Sequence, residues 1–209
     1  LKVKRTVITR LLDEGLYPYT KRYLGTFANH FSTIGLVGMN ECCLNFLGAS
    51  ICDREGQEFS ERVLKHMAEK IKDFQESSGH IYNLEATPAE GTSFRLAKID
   101  RKLYPEIVCA GEDTPYYTNS TQLPVGYTND LFEALDLQAP LQQIYTGGTV
   151  FHSFIGERIE DAALVASLVK RIAENYRIPY FTLTPSFSIC PVHGYIPGEH
   201  VSCPLEQEA

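Results

Sequence analysis

Apolar residues recur along this chain with two periods. Val3, Val7, Ile8, Leu11 and Leu12 share one helical face and Gly15 ends the pattern, which predicts a helix over residues 3–14. Residues 33–38, Thr-Ile-Gly-Leu-Val-Gly, read as a short buried strand, followed by Asn40-Glu41-Cys42-Cys43. Phe59, Val63, Met67, Ile71 and Phe74 form an amphipathic helix that closes near Gly79. The apolar approach at 80–84 predicts a strand, and residues 96–105 predict helix passing into loop. Thr128 or Asn129 is placed to cap a short helix through Leu137. Gly147 and Gly148 form a tight turn that feeds a strand reaching His152. The longest helix is predicted over 157–176, with apolar residues at 159, 162, 163, 166, 169, 172, 173 and 176, and Pro179 ends it. A further strand is predicted over 180–184. Helices and strands alternate throughout, so the fold class is α/β.

Two polar stretches break this patterning. The first follows the strand at 80–84 and reads Asn-Leu-Glu-Ala-Thr-Pro-Ala-Glu-Gly-Thr-Ser from Asn83 to Ser93. Gly91, the hydroxyls of Thr92 and Ser93, and the N–H groups of a helix start are what a backbone needs to hold phosphate. The same residues fit a capping box, with Thr87 as N-cap, Pro88 at the first helical position and Glu90 reaching back. The box needs no ligand, and the Glu90 charge opposes a phosphate, so both readings stand. The second stretch is Tyr116 to Pro124. It suits either a loop lining a polar cavity or an edge strand with turn chemistry. His152 is a candidate site residue or a packed strand histidine.

The tail changes character. Cys190-Pro191-Val192-His193 is echoed by Cys203-Pro204-Leu205-Glu206, with glycines between. Two knuckles of the form Cys-Pro-x-ligand are how a zinc ribbon clasps its metal, because ligands three apart reach one ion. Glu206 is a harder oxygen donor than structural zinc sites favour, and His200 or water is an alternative fourth ligand.

Bulk properties narrow the partners. The 209 residues are 44% hydrophobic and 22% charged, enough for one large domain with a proper core. No apolar run approaches a membrane span. A formal net charge of −7 argues against nucleic acid as a direct partner, although a local pocket can still take a small anion. Six cysteines, including the neighbours Cys42 and Cys43, in a chain of this size point to a reducing, cytoplasmic setting rather than a disulfide framework. Leu1 opens inside a helical pattern, so the chain reads as a piece of a longer protein.

The stretches 17–25, 34–41, 83–93, 116–126, 145–149 and 188–204 together resemble the C-terminal part of the catalytic subunit of the anaerobic (class III) ribonucleoside-triphosphate reductases. The run Tyr-Tyr-Thr-Asn-Ser-Thr-Gln-Leu-Pro-Val-Gly at 116–126 is long enough to be specific. The resemblance implies the second half of a ten-stranded α/β barrel of the glycyl radical enzyme type over 1–187. A truncated zinc-binding segment over 188–209 would follow it. It also implies deoxyribonucleotide biosynthesis for DNA replication. A glycyl radical, installed by a radical-SAM activating enzyme, generates a thiyl that abstracts the ribose 3′ hydrogen, with formate or a thioredoxin-type dithiol as reductant. The resemblance implies a homodimer at full length and ATP/dNTP effectors acting through an N-terminal domain absent here. None of the six cysteines matches the thiyl residue and no glycine matches the radical motif, so no catalytic residue is assigned and the fragment is expected to be inactive alone. With the resemblance, Thr87, Glu90, Gly91, Thr92 and Ser93 become the loop that meets the nucleotide phosphates. Asn83, Glu85, Asn119 and Ser120 become candidates for the ribose and base cavity, and Cys190, His193, Cys203 and Glu206 for zinc. The alternatives are another glycyl radical enzyme, or a non-catalytic zinc-binding interaction module.

Overall fold

The computed structural model describes residues 2–155, 159–198 and 200–206. Helices α1 (Lys2–Asp13) and α2 (Pro18–Tyr23) precede strand β1 (Ser32–Gly35), then α3 (Met39–Leu47) and α4 (Arg54–Ser78) lead to β2 (Tyr82–Glu85). Helices α5 (Glu90–Leu103) and α6 (Leu131–Gln142), strand β3 (Phe151–Ile155), α7 (Ala162–Asn175) and β4 (Phe181–Pro185) follow. A hairpin of β5 (Phe187–Cys190) and β6 (Gly194–Pro197) and a 3-10 turn (Pro204–Glu206) are the last elements among the described residues.

The strands that carry the core run parallel. β1 pairs with β2 from Ser32 opposite Tyr82 to Gly35 opposite Glu85, and β3 pairs with β4 from Phe151 opposite Phe181 to Ile155 opposite Pro185. The segment leading into β3 lies along the free side of β2: the N–H groups of Thr146 and Gly147 donate to the Leu84 carbonyl, and Ala86 N–H donates to Gly148. Parallel strands need crossover helices, which cover one face of the wall. On β2, Tyr82 and Leu84 are buried and Asn83 and Glu85 only half-buried, the period-two alternation of a strand with two unlike faces. Tyr82 and Leu84 join Met39, Cys43, Leu64, Ile71 and Leu141 in one core; Leu135, Phe151 and Ile172 form a second under β3 and β4. Burying Leu64 and Ile71 contributes roughly 1.5–3 kcal/mol each and fixes the inner face of α4. The exposed ion pairs on its outer face, such as Glu61–Lys65, add little.

Several boundaries differ from those predicted, each for a local reason. The longest helix is α4, with 25 residues, and not the one after β3. Residues 157 and 158 lie outside the described residues, and α7 starts at Ala162 because Asp161 Oδ1 accepts the N–H groups of Ala163 and Leu164 at 2.8 and 3.3 Å. Helix α6 is capped by Asp130, not by Thr128 or Asn129; Oδ1 of Asp130 takes the N–H groups of Phe132 and Glu133, while Thr128 bonds the Asp130 N–H and the Glu133 carboxylate. It continues past Leu137 and through Pro140 to Gln142, which brings Gln138, Leu141 and Gln142 into the interior. Helix α5 runs from Glu90 to Leu103, starting ahead of the helix predicted over 96–105 and two residues past the Pro88 start of the capping box. Residues 116–124 form no strand; they are a loop with single antiparallel bridges, Asn119 to Val37 just past β1 and Tyr116 to Ala110 in the segment after α5.

Candidate functional site

Beyond the carboxyl ends of β1 and β2 the chain opens a cleft of about 550 Å³ lined by Thr33, Gly35, Val37 and the run Thr87–Thr92, with Glu85 at its side. The carboxyl ends of parallel strands are where α/β folds habitually place ligands, since the loops there splay apart. Strand β1 supplies one wall, and the segment between β2 and α5 supplies the other. No Lys or Arg is among the lining residues. The electropositive element is the N-terminus of α5, whose first turn, Glu90-Gly91-Thr92, carries N–H groups that no preceding helical turn can satisfy.

The capping box does not form. Ala89 occupies the N-cap position, and its side chain offers no cap. Two packing facts remove Thr87 and Pro88 from the helix. The Thr87 side chain lies on Gly35 so closely that a Cβ there would fall 1.9 Å from its Oγ1. The Ala89 N–H is held at 3.2 Å by Asn119 Oδ1 from another part of the chain. The last residue of β1, Gly35, therefore has to be glycine, and the helix starts two residues later than the capping box would place it.

The structure sorts the remaining candidates by position. Glu85, Thr87, Glu90, Gly91 and Thr92 line the cleft. Ser93 is buried, with its hydroxyl donating to the Glu90 carbonyl at 3.0 Å, so it faces into the helix. Asn119 and Ser120 stand behind the wall: the Ser120 hydroxyl bonds the carbonyls of Leu36 and Thr87 at 3.1 and 3.3 Å. Asn83 faces the same side as Glu85, and its Oδ1 is buried with no hydrogen-bond partner. A Cβ on Gly147 would sit 2.6 Å from Asn83 Nδ2, and one on Gly148 would sit 3.1 Å from Glu85 Oε1. Those two glycines let the chain pass against both side chains. His152, on the exposed side of β3, pairs with Thr182 Oγ1 at 3.1 Å.

Glu41 is the residue whose role the sequence left unassigned. It is 1% exposed, and its carboxylate accepts from Thr118 N–H at 2.9 Å, Thr118 Oγ1 at 2.7 Å and Asn40 Nδ2 at 3.2 Å. The first turn of α3 adds bonds from Gly38 N–H to Thr118 and from Met39 N–H to Ser120. The polar run 116–124 is thus shaped by being moored to the start of α3. Its one hint in sequence was an acidic residue just after an apolar strand. Tyr117 on this loop donates to Asp100 at 2.8 Å, and burial together with that carboxylate raises its pKa. Cys43 lies buried between α3 and α4 beside Ser60, and burial pushes its thiol up, whereas Cys42 is exposed.

The tail forms a second candidate site. In the β5–β6 hairpin Cys190 is opposite Gly194, and residues 191–193 make the turn, which swings His193 back over Cys190. His193 Nδ1 lies 3.5 Å from Cys190 Sγ and 3.3 Å from Cys203 Sγ, and the three ligand atoms lie within 4.8 Å of one another. Zinc bonds of about 2.3 Å to sulfur and 2.0–2.1 Å to nitrogen at a tetrahedral angle place those atoms roughly 3.5 Å apart, so the set fits a zinc ion. Backbone N–H groups of His193 and Val192 directed at Cys190 lower its pKa towards the thiolate that a metal requires. Glu206 lies on the 3-10 turn, but its side chain is outside the described residues. The His200 N–H is engaged by Ser188 Oγ at 2.8 Å.

Comparison with known proteins points one way. The sequence model of the family described as anaerobic ribonucleoside-triphosphate reductase matches residues 1–206. The anaerobic ribonucleoside-triphosphate reductase of Enterobacteria phage T4 is 29% identical over 154 residues, 71% of this chain and 24% of the phage protein. That of Haemophilus influenzae is 26% identical over 121 residues, 56% of this chain and 17% of the relative. Among solved structures, the Thermotoga maritima anaerobic ribonucleotide reductase with glycerol in the active site superposes with a TM-score of 0.74 at 25% identity, covering 93% of this chain and 31% of that one. The same enzyme in complex with dATP and CTP gives a TM-score of 0.71 at 25% identity, covering 93% and 32%. The chain spans a quarter or less of the length of these curated relatives and about a third of the solved chains. Among the described residues no helix is long and apolar enough to cross a membrane.

Proposed function

The chain belongs to the anaerobic ribonucleoside-triphosphate reductase family, and from that premise we propose that its cleft receives the phosphates of a ribonucleoside triphosphate. The observation that carries this reading is the first turn of α5 opening into a cleft at the carboxyl ends of two parallel strands. Glu90, Gly91 and Thr92 present N–H groups there, Thr92 adds a hydroxyl, and Gly91 leaves room for close approach. Asn83 and Glu85, on the same face of the wall, are the groups we assign to the sugar, the unsatisfied Asn83 Oδ1 being an acceptor suited to a ribose hydroxyl. Asn119 and Ser120 act from behind by holding Ala89 and Thr87.

On this reading residues 1–187 are the second half of a ten-stranded α/β barrel; two parallel pairs, bridged by 146–148 and covered by helices on one face, support it. The tail from 188 is a zinc-binding segment in which Cys190, His193 and Cys203 hold the ion, with Glu206, His200 or water completing the set. Its contribution is structural: it ties the hairpin to the 3-10 turn. The complete enzyme would draw its radical from a glycyl residue supplied by a radical-SAM activase and its electrons from formate or a dithiol, and would work as a dimer. Relatives that are all anaerobic reductases do not favour a different glycyl radical enzyme or a zinc interaction module.

The test is nucleotide binding by the complete polypeptide. A Cβ at Gly91 meets nothing within 4 Å, so a side chain added there is expected to act mainly on the approach of a ligand. Gly91→Val and Thr92→Val are each expected to weaken binding by about 1.5–3 kcal/mol, roughly 10- to 150-fold, the worth of a charge-assisted hydrogen bond. Unchanged affinity in both would reduce this turn to an ordinary helix start.

A further inference from the structure

Helix α6 is apolar over most of its length, yet its two glutamines, one turn apart, are both completely buried. A buried amide is destabilising unless its donors and acceptor are matched, and Met would fill the same space without that demand. Here every link is made. The Thr149 hydroxyl donates to Gln142 Oε1, Gln142 Nε2 donates to Gln138 Oε1 at 3.0 Å, and Gln138 Nε2 donates to the Thr121 carbonyl at 2.9 Å. From the other side Gln122 Nε2 donates to the Val150 carbonyl at 2.7 Å.

The two ends of this relay are the segments that back the cleft. One end, at Thr149, continues the turn whose glycines press on Asn83 and Glu85. The other end, at Thr121, continues the loop whose Asn119 and Ser120 grip Ala89 and Thr87 just ahead of α5. Neither glutamine lines the cleft itself. We infer that Gln138 and Gln142 are positioning residues: through the relay they hold these two segments at a fixed separation, and so set where the first turn of α5 stands relative to Asn83 and Glu85. The inference rests on the reading of the cleft as the nucleotide site. Removing one amide leaves a buried carbonyl or hydroxyl without its partner, and the loop is then released to find water.

The experiment uses the full-length polypeptide, with CTP as the probe. Gln138→Met and Gln142→Met preserve volume and helix propensity while cutting the relay. Leu135→Ala, in the second core on the same helix, is the control for a plain loss of stability. Under conditions where each protein stays folded, both Met variants are expected to speed amide hydrogen exchange at 118–122 and 147–150 at least tenfold. Exchange in α4 and β1 should be unchanged, and CTP affinity should fall at least tenfold. The control, compared at an equal loss of melting temperature, should do neither. If a Met variant does not fold, Thr149→Val at the outer end of the relay carries the same expectation. Exchange that accelerates evenly over the molecule, or CTP affinity unchanged in the variants while the wild type binds, overturns the inference. A wild-type protein that binds no CTP refutes the nucleotide reading instead, and the local exchange pattern then decides the positioning role by itself.

Discussion

At the scale of single residues, the site depends on side chains that are missing. Gly35 exists so that Thr87 can lie on the strand, and Gly147 so that the chain can pass Asn83. A methyl group at 147 would stand 2.6 Å from Asn83 Nδ2, closer than atoms tolerate, and 3.1 Å from the Leu84 carbonyl, tighter than an ordinary contact. The strand cannot yield, because the N–H groups of Thr146 and Gly147 are bonded to that same carbonyl. Asn83 must therefore turn. Gly147→Ala is expected to lower stability by about 1–3 kcal/mol, as overpacking does. It should also displace Asn83 Oδ1, a buried acceptor that lacks a partner, so nucleotide affinity falls beyond what an equally destabilising core variant causes. Thermal unfolding and binding titration of the two variants together check this. Equal affinity would mean that Asn83 takes no part in binding. Tyr145 is near this turn, with its hydroxyl 3.1 Å from Thr121 Oγ1 and its pKa pushed up to about 12, by burial above all. It stays protonated across the working pH range.

Among elements, the tail hairpin is the one whose shape depends on chemistry outside its own backbone. Four-residue strands joined by a three-residue turn are marginal in water, and Ile189, Tyr195 and Val192 remain exposed. One zinc ion bound by Cys190, His193 and Cys203 would couple metal affinity to the order of this segment. Metal analysis of the purified chain, under reducing conditions and without chelator, is expected to find zinc, and Cys190→Ser or Cys203→Ser should remove it. Glu206→Cys should tighten binding, since thiolate replaces a harder oxygen donor. The pH dependence has a definite sign. The Cys190 pKa is lowered in the fold by the backbone N–H groups of His193 and Val192. The stability this lends is present above the thiol's ordinary pKa and is lost as pH falls through the lowered value. Proton competition for the thiolates makes zinc affinity fall in the same direction. Zinc absent from both the wild type and Glu206→Cys would exclude a metal site.

For the molecule as a whole, the placement of cysteines separates binding from chemistry. Cys42 and Cys43 are on α3, Cys52 precedes α4, Cys109 follows α5, and Cys190 and Cys203 belong to the tail; the lining of the cleft contains none of them. The 209-residue chain on its own is therefore expected to reduce no ribonucleoside triphosphate even with activase and reductant supplied, because no thiol of this chain borders the cleft where a ribose would lie. Formation of any deoxyribonucleotide by the isolated chain would contradict it. Assembly with the rest of a complete reductase should restore turnover if the cleft is what we propose.

Much of this protein was legible in its residue order. The helix on Phe59, Val63, Met67 and Ile71, the strands near 33–38, 80–84 and 180–184 and the α/β alternation follow from local periodicity, which depends on which face a side chain takes and not on distant partners. The helix stop at Gly79, the Cys-Pro-x-His knuckle and the family resemblance carried by long motifs were equally local. Contacts between segments far apart in sequence decided the rest. Nothing near Thr87 reveals that Asn119 will hold the Ala89 N–H, so the apparent capping box gives way and α5 starts at Glu90. Nothing near Glu41 reveals that Thr118, 77 residues on, will bury its carboxylate. Gln138 and Gln142 lie past the helix end predicted at Leu137, and nothing near them reveals that Thr121 and Thr149 will meet them. Periodicity records how much of a residue is buried; the tertiary structure alone chooses the partner, because a buried polar group is stable only beside the one group that satisfies it.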